Sequence, residues 1–445
     1  MLNGTSNIMA TNKITIIIPF KIYYYSFEPI IKYFLSKGEE LVIYLPNNSI
    51  DLIEDINNNN QLEIHSYEEL ISRYRLRKLI HSLFLILFTP RNYSNNYKIL
   101  QLRNFKTPNF GIILNFFSRL AYLISHLTPK SKNINSTVQN FMCFLFKRDV
   151  FSSTKIIVGS LNPHSHLLSS RKLKIYSIME SWDHVVKQPS GYVSRMAFLW
   201  NQDLADDWKK FNNDKLSFAV YPFKLRFSEK VRRVNKINNK TCCYAVAYSD
   251  LFKRSKISRV EHLIVEKIAT ACYKEGWNLL IKLRPNGRED EFDYLLKKFN
   301  NIEISPIESI DSNPANYFLS DDYNIQRFKF IEGVSFIINC FTTFGLDCSF
   351  ANIPVLQLDV RGDKLLKDSN LFYNNHHIKK YLLNDPNVLK VKNGDKLENT
   401  LANYLKSDMD FHTIYGKNLL SWLKTQNNYD VNQASDFVFK KIKND

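Results

Sequence analysis

Four short segments carry residue types that could do chemistry together. The first is Cys340-Phe341-Thr342-Thr343-Phe344-Gly345-Leu346-Asp347, directly after an apolar run that reads as a strand, Val334 to Asn339. Hydroxyls, a glycine and a helix start at a strand exit offer N–H and O–H donors that suit a phosphate without a metal ion. Thr342, Thr343, Gly345 and Asp347 are the candidates there, and a plain threonine N-cap is the competing explanation. The second is Arg284-Pro285-Asn286-Gly287-Arg288 after the strand-like Trp277 to Leu283. An arginine aimed by a fixed turn can grip a phosphate with two parallel hydrogen bonds. The third is Tyr248-Ser249-Asp250 followed by Lys253 and Arg254, with Ser249 and Lys253 as further anion contacts. The fourth is Met179-Glu180-Ser181-Trp182-Asp183-His184. Two carboxylates and an imidazole beside a tryptophan can supply a general base, and Glu180, Asp183 and His184 are the catalytic candidates.

All four segments follow runs with the hydrophobicity of buried strands, and the chain alternates such runs with helix-like ones. That alternation is the mark of parallel α/β folds. Ile14 to Pro19, Glu40 to Leu45, Lys155 to Gly159, Lys174 to Ile178 and Ala197 to Trp200 are the expected strands of a first half, with a helix over Ser26 to Ser36. A charged, asparagine-rich stretch, Phe227 to Lys240, reads as a linker. A second half follows, with strands at Cys242 to Tyr248, Trp277 to Leu283, Ile302 to Ile304, Val334 to Asn339 and Val355 to Leu358. Helices are expected over Val260 to Tyr273 and Glu289 to Lys298, and again after Asp408. The expected architecture is two Rossmann-like domains facing a cleft, residues 1–226 and 241–408. Closing helices over 409–445 are expected to pack back towards the first domain. In parallel sheets, ligands bind beyond the carboxyl ends of the strands, where all four segments lie.

The 445 residues are 44% hydrophobic and 23% charged, which excludes wholesale disorder. Six cysteines in so long a chain, with no C-x-x-C spacing, argue against a disulfide scaffold and make a reducing compartment the expectation. The first apolar run, Ile14 to Phe20, is seven residues long and reads as a strand rather than a signal-peptide core. Met9 is an alternative start. No run approaches the ~20 apolar residues of a membrane span. The net charge is +17, and thirteen of those charges fall between Leu70 and Arg148, where there is no Asp or Glu at all. Basic residues there alternate with Phe, Tyr, Leu and Ile, which suits amphipathic helices on an anionic membrane surface. Nucleic acid would satisfy the same charge count. Signatures of P-loop ATPases, dinucleotide-binding dehydrogenases, zinc proteases and α/β-hydrolases are all missing from the sequence.

With these residues the chain resembles the GT-B glycosyltransferases, specifically the bacterial surface-polysaccharide branch that includes the CDP-glycerol polyol-phosphate transferases. The resemblance rests on Ser181-Trp182-Asp183-His184, Trp200-Asn201, Lys282-Leu283-Arg284-Pro285, Thr342 to Asp347, and Asn352-Ile353-Pro354-Val355. It covers roughly residues 150 to 360, and many relatives carry His-Pro where this chain has Arg284-Pro285. It implies a nucleotide-sugar donor held by the second domain and a saccharide or lipid-linked acceptor held by the first. Arg284, Thr342 and Thr343 would stabilise the departing phosphate, and Asp183 or Glu180 would deprotonate the acceptor hydroxyl if the transfer inverts configuration, the carboxylate having another role if it retains it. No cofactor or metal is expected, and nucleic acid is not the expected partner. The expected location is cytoplasmic, peripheral on the inner face of the cytoplasmic membrane.

Overall fold

The computed structural model describes residues 11–53, 56, 60–77, 80, 145, 150–151, 153–159, 167–168, 173–181, 194–211, 216–226, 228, 239–247, 256–283, 289–305, 328–340, 342–373, 378–384, 388–407 and 430–445. The chain divides into two compact units. One comprises residues 1–224 together with 425–445, and the other residues 225–424. Most of the basic stretch 70–148 lies outside the described residues, as do residues 409–429 of the expected closing helices.

The first unit is built on β1 (Thr11–Ile17), α1 (Tyr24–Ser36), β2 (Leu41–Leu45), β3 (Leu62–Ser66), β4 (Ser153–Val158), β5 (Lys174–Ile178), β6 (Ser194–Leu199), α2 (Gln202–Phe211) and β7 (Leu216–Ala219). Its strands form one sheet in the order β3-β2-β1-β4-β5-β6-β7. Every pairing is parallel, with Ile16 set between Ile43 and Ile157. A parallel sheet is covered on both faces, so its inner strands must be apolar throughout. Ile14, Ile16 and Ile17 in β1 and Ile156, Ile157 and Val158 in β4 are accordingly buried.

The second unit repeats the plan with β8 (Thr241–Ala245), α3 (Lys256–Lys274), β9 (Asn278–Lys282), β10 (Ile302–Ile304), β11 (Phe336–Asn339), α4 (Phe344–Phe350), β12 (Val355–Asp359), β13 (Leu389–Lys390) and α5 (Leu397–Leu405). The strand order is β10-β9-β8-β11-β12-β13, again all parallel. In each sheet the chain runs outward from its first strand and then returns to that strand's other side. The strand order therefore reverses between β1 and β4 and between β8 and β11. Such reversals are where parallel sheets open a crevice for ligands.

Several expected bounds shift, two of them in the helices of the second unit. The helix expected over Glu289 to Lys298 is a 3₁₀ turn, Glu289–Phe292, followed by one helical turn, Asp293–Leu296. Phe292 and Leu295, three apart, are both buried, a spacing that favours the tighter winding. The helix expected from Val260 begins earlier, at Lys256.

The final helix, α6 (Val431–Lys443), starts from a capping box in which Asp430 and Gln433 bond each other's backbone N–H. It lies on α1 in the first unit. The Phe439 ring packs edge-on against Phe34 at 5.0 Å, and the Tyr33 hydroxyl donates to Asp436 at 2.6 Å. Beyond it, Asp445 takes hydrogen bonds from Tyr176 (2.9 Å) and Arg195 (2.5 Å).

Candidate functional site

The β8/β11 reversal of the second unit is built from polar side chains inside otherwise apolar strands. Asn339 closes β11 and Gln357 lies beside it in β12, both buried. Asn339 Nδ2 donates to Gln357 Oε1 (2.8 Å), and its Oδ1 accepts the Thr342 N–H (3.2 Å). Gln357 Nε2 donates to the Cys340 carbonyl (2.9 Å). Two buried amides thus satisfy each other and fix the turn leaving β11, as buried polar groups must.

Thr342 stands on that turn, and its Oγ1 accepts the Phe344 N–H at 2.7 Å. A hydroxyl that accepts still has its own proton to donate. Thr343 precedes α4, and its carbonyl takes the Leu346 and Asp347 N–H groups. Gly345 has a steric role. A Cβ there would fall 2.7 Å from Asn339 Nδ2 and 2.8 Å from its Cγ, so the first turn of α4 rests directly on the Asn339 amide. Asp347 is buried in that turn, where the helix dipole favours a carboxylate. Two residues past the end of the helix, Asn352 takes a left-handed φ of 61° while the Ile353 N–H returns to the Cys348 carbonyl at 2.9 Å. Pro354 then leads into β12, its carbonyl accepting the Ile337 N–H.

Neighbouring strand ends add charge and sulfur. Lys282, ending β9, places its ammonium 5.5 Å from the Phe344 ring centroid. After β12, Arg361 makes a two-pronged bond to Asp359 (2.8 and 2.6 Å), which raises its already high pKa, and its guanidinium lies over the Tyr373 ring. Beneath the edge, burial pushes the Cys340 thiol up to about 12 and holds the Tyr244 and Tyr373 phenols well above their usual range. All three therefore stay protonated near neutral pH.

In the first unit, Glu180 follows β5, with its side chain buried. Gly159, just past β4, provides the room. A Cβ at 159 would stand 1.6 Å from Glu180 Oε1 and 2.9 Å from the Phe27 ring. Trp200 Nε1 donates to the Met179 carbonyl at 2.8 Å, tying the β5 exit to the β6 exit. Asn201 caps α2 by accepting the Leu204 N–H. Glu180 thus sits at the carboxyl edge beside the β1/β4 reversal.

Of the residues singled out from sequence, Thr342, Thr343, Gly345 and Asp347 come together at one strand exit, and Glu180 lies in the other unit. Asp183, His184, Ser249, Lys253 and Arg284 lie outside the described residues. Asn339, Gln357 and Gly159 were missed as contributors, and Lys282 entered only within the resemblance. The signal for the first two was present, since an amide inside an apolar parallel strand must find a partner. Among the described residues, no group of three or more His, Cys, Asp or Glu side chains could hold a metal ion, and no helix is long and apolar enough to cross a membrane.

A scan against protein-family models finds no match, and no curated protein matches the chain. Among solved structures the chain is similar to UGT89C1 of Arabidopsis thaliana complexed with UDP, at 11% identity and TM-score 0.46, covering 97% of this chain and 100% of that one. It is similar to MurG of Acinetobacter baumannii at 9% identity and TM-score 0.42, covering 97% and 100%. Anabaena Alr3699/HepE in complex with UDP-glucose matches at 9% identity and TM-score 0.44, covering 97% and 99%. All three TM-scores are below 0.5, so the architecture of two parallel α/β units rests on this chain's own strand pairing.

Proposed function

We propose that the chain is a GT-B glycosyltransferase that moves a sugar from a nucleotide-sugar donor to a saccharide acceptor. The observation that carries this reading is the turn from Thr342 to Gly345. It puts a hydroxyl able to donate and a tightly seated helix start at the strand-order reversal of the second sheet. Thr342, Thr343 and Arg284 would stabilise the negative charge that develops on the departing phosphate, with no metal needed. In the first unit, Asp183 would take the acceptor proton. Glu180, buried against Gly159, would support that edge. The acid-free basic stretch 70–148 supports an acceptor on, or linked to, an anionic membrane surface, as in bacterial capsule or lipopolysaccharide assembly.

The test is a thermal-shift panel of UDP, GDP, CMP, CDP and dTDP, with and without magnesium. A nucleotide present at ~100 times its dissociation constant stabilises the native state by about 2.7 kcal/mol. One nucleotide is expected to stand out, without magnesium, and to lose its effect in Arg284→Ala. A response to CDP alone would move the reading to polyol-phosphate transfer. No response to any, together with salt-sensitive oligonucleotide binding, would overturn it in favour of a nucleic-acid-binding protein.

A further inference from the structure

Glu261, in α3, is buried in the second unit. Its Oε1 accepts two hydrogen bonds, from the Ala247 N–H at 2.6 Å and from the Tyr244 hydroxyl at 3.1 Å. Ala247 is two residues past β8, and β8 is the strand at which the order of the sheet reverses. Tyr244 pairs across the sheet with Ile338 of β11, two residues before Cys340, the first residue past that strand. One carboxylate therefore holds the exit of β8 directly and grips the phenol of the β8 residue that pairs with the end of β11. These are the two strands that flank the reversal. The Thr342 turn begins two residues past Cys340, and Ser249 and Lys253 follow Ala247 in the chain.

Burying an ionised carboxylate is costly, and an apolar residue at this position of the helix would pack more cheaply. What a carboxylate adds is a short, charge-assisted bond to a backbone N–H at one fixed place. We propose that Glu261 is a positioning residue for nucleotide binding, fixing the exit of β8 beside β11. This deepens the glycosyltransferase reading and rests on it. A 1 Å displacement of a strand exit is enough to misplace a phosphate contact.

The test compares Glu261→Gln, Glu261→Ala and, as a control, Lys267→Met. Lys267 lies on the same helix and pairs with Glu398 (2.7 Å) and Asp363 (3.2 Å), so its loss also breaks a buried ion pair, away from β8 and β11. The probe is whichever of the five nucleotides stabilises the wild-type chain, with its dissociation constant measured by calorimetry. Amide exchange at Ala247 is read in parallel. Glu261→Ala is expected to weaken binding at least tenfold and to speed Ala247 exchange at least tenfold. Glu261→Gln keeps an acceptor oxygen and should restore both to within about threefold. Lys267→Met should lower the melting temperature and leave binding within twofold. Should Glu261→Ala not fold, Tyr244→Phe removes a single hydroxyl and is expected to weaken binding severalfold. Unchanged binding in the folded Glu261 or Tyr244 variant, with wild type binding normally, overturns this inference alone. So does an equal loss in Glu261→Ala, Glu261→Gln and Lys267→Met. A wild-type chain that binds none of the five overturns both this inference and the glycosyltransferase reading.

Discussion

Replacing Gly345 with alanine sets two effects of known sign against each other. In a helix, alanine is favoured over glycine by about 1 kcal/mol. Here the new Cβ would sit 2.7 Å from Asn339 Nδ2, 2.8 Å from its Cγ and 3.2 Å from its Cβ. Asn339 cannot simply turn aside, because its amide is bonded at both ends, to Gln357 and to the Thr342 N–H. Overpacking of a tight site costs about 1–3 kcal/mol, and each hydrogen bond lost adds ~1 kcal/mol. The expected net effect is a destabilisation of about 2 kcal/mol, despite the better helix former. Urea unfolding followed by tryptophan fluorescence and circular dichroism measures it, with Gly333→Ala as the reference, since a Cβ there meets nothing within 4 Å. The clash itself is isolated by a double-mutant cycle with Asn339→Ala. In that background Gly345→Ala should cost nothing or become stabilising. If the full cost persists once the Asn339 side chain is gone, the steric argument is wrong.

Gly159→Ala should be more damaging than Gly345→Ala, because its Cβ would lie 1.6 Å from a buried carboxylate oxygen. A loss of 3 kcal/mol or more, or failure to fold, is expected in the same unfolding assay, and a neutral outcome would mean that Glu180 does not occupy this space. Burial pushes the Asp363 carboxyl up, but hydrogen bonds from the Leu397 and Leu365 N–H groups and from Lys267 outweigh it and hold its pKa below the ordinary aspartate value. A depressed folded pKa gives stability that is present above the unfolded value, about 4, and is lost as pH falls through the folded one. The stability gap between wild type and Asp363→Asn should therefore shrink between pH 6 and pH 3, and a constant gap would refute the linkage.

The central strands were legible from sequence because a parallel sheet demands unbroken apolar runs. The runs at Ile14, Lys155 and Val334 became β1, β4 and β11 with their ends moved by up to three residues, and Lys174 to Ile178 became β5 unchanged. The strands that escaped notice are the sheet edges. β3 reads Leu-Glu-Ile-His-Ser and no residue of it is fully buried, β7 alternates exposed and buried positions, and β13 has two residues. A strand at the margin of a sheet is covered less fully on its two faces, so its sequence carries a weaker hydrophobic signal. In the site, the Thr342 turn was visible as a hydroxyl-glycine cluster after a strand. The function of Gly345 was not, because it depends on Asn339, six residues earlier, occupying the space where a Cβ would go. The room that Gly159 leaves for Glu180 lies between residues 21 positions apart and was equally invisible to local patterning.

The division of the chain makes the second unit an insertion within the first. Residues 225–424 are made in full before α6, which the first unit needs, leaves the ribosome. Until then Phe34 on α1 lacks the Phe439 ring that covers it, and Asp445 is not yet present to bond Tyr176 and Arg195. Domains generally fold as units during synthesis, N-terminal first. Here the order is inverted, so that the later segment can reach its native state while the earlier one still waits for residues 425–445. A stalled or prematurely ended nascent chain would thus present a finished inner unit joined to an outer one with an open apolar helix face, the kind of surface that chaperones hold.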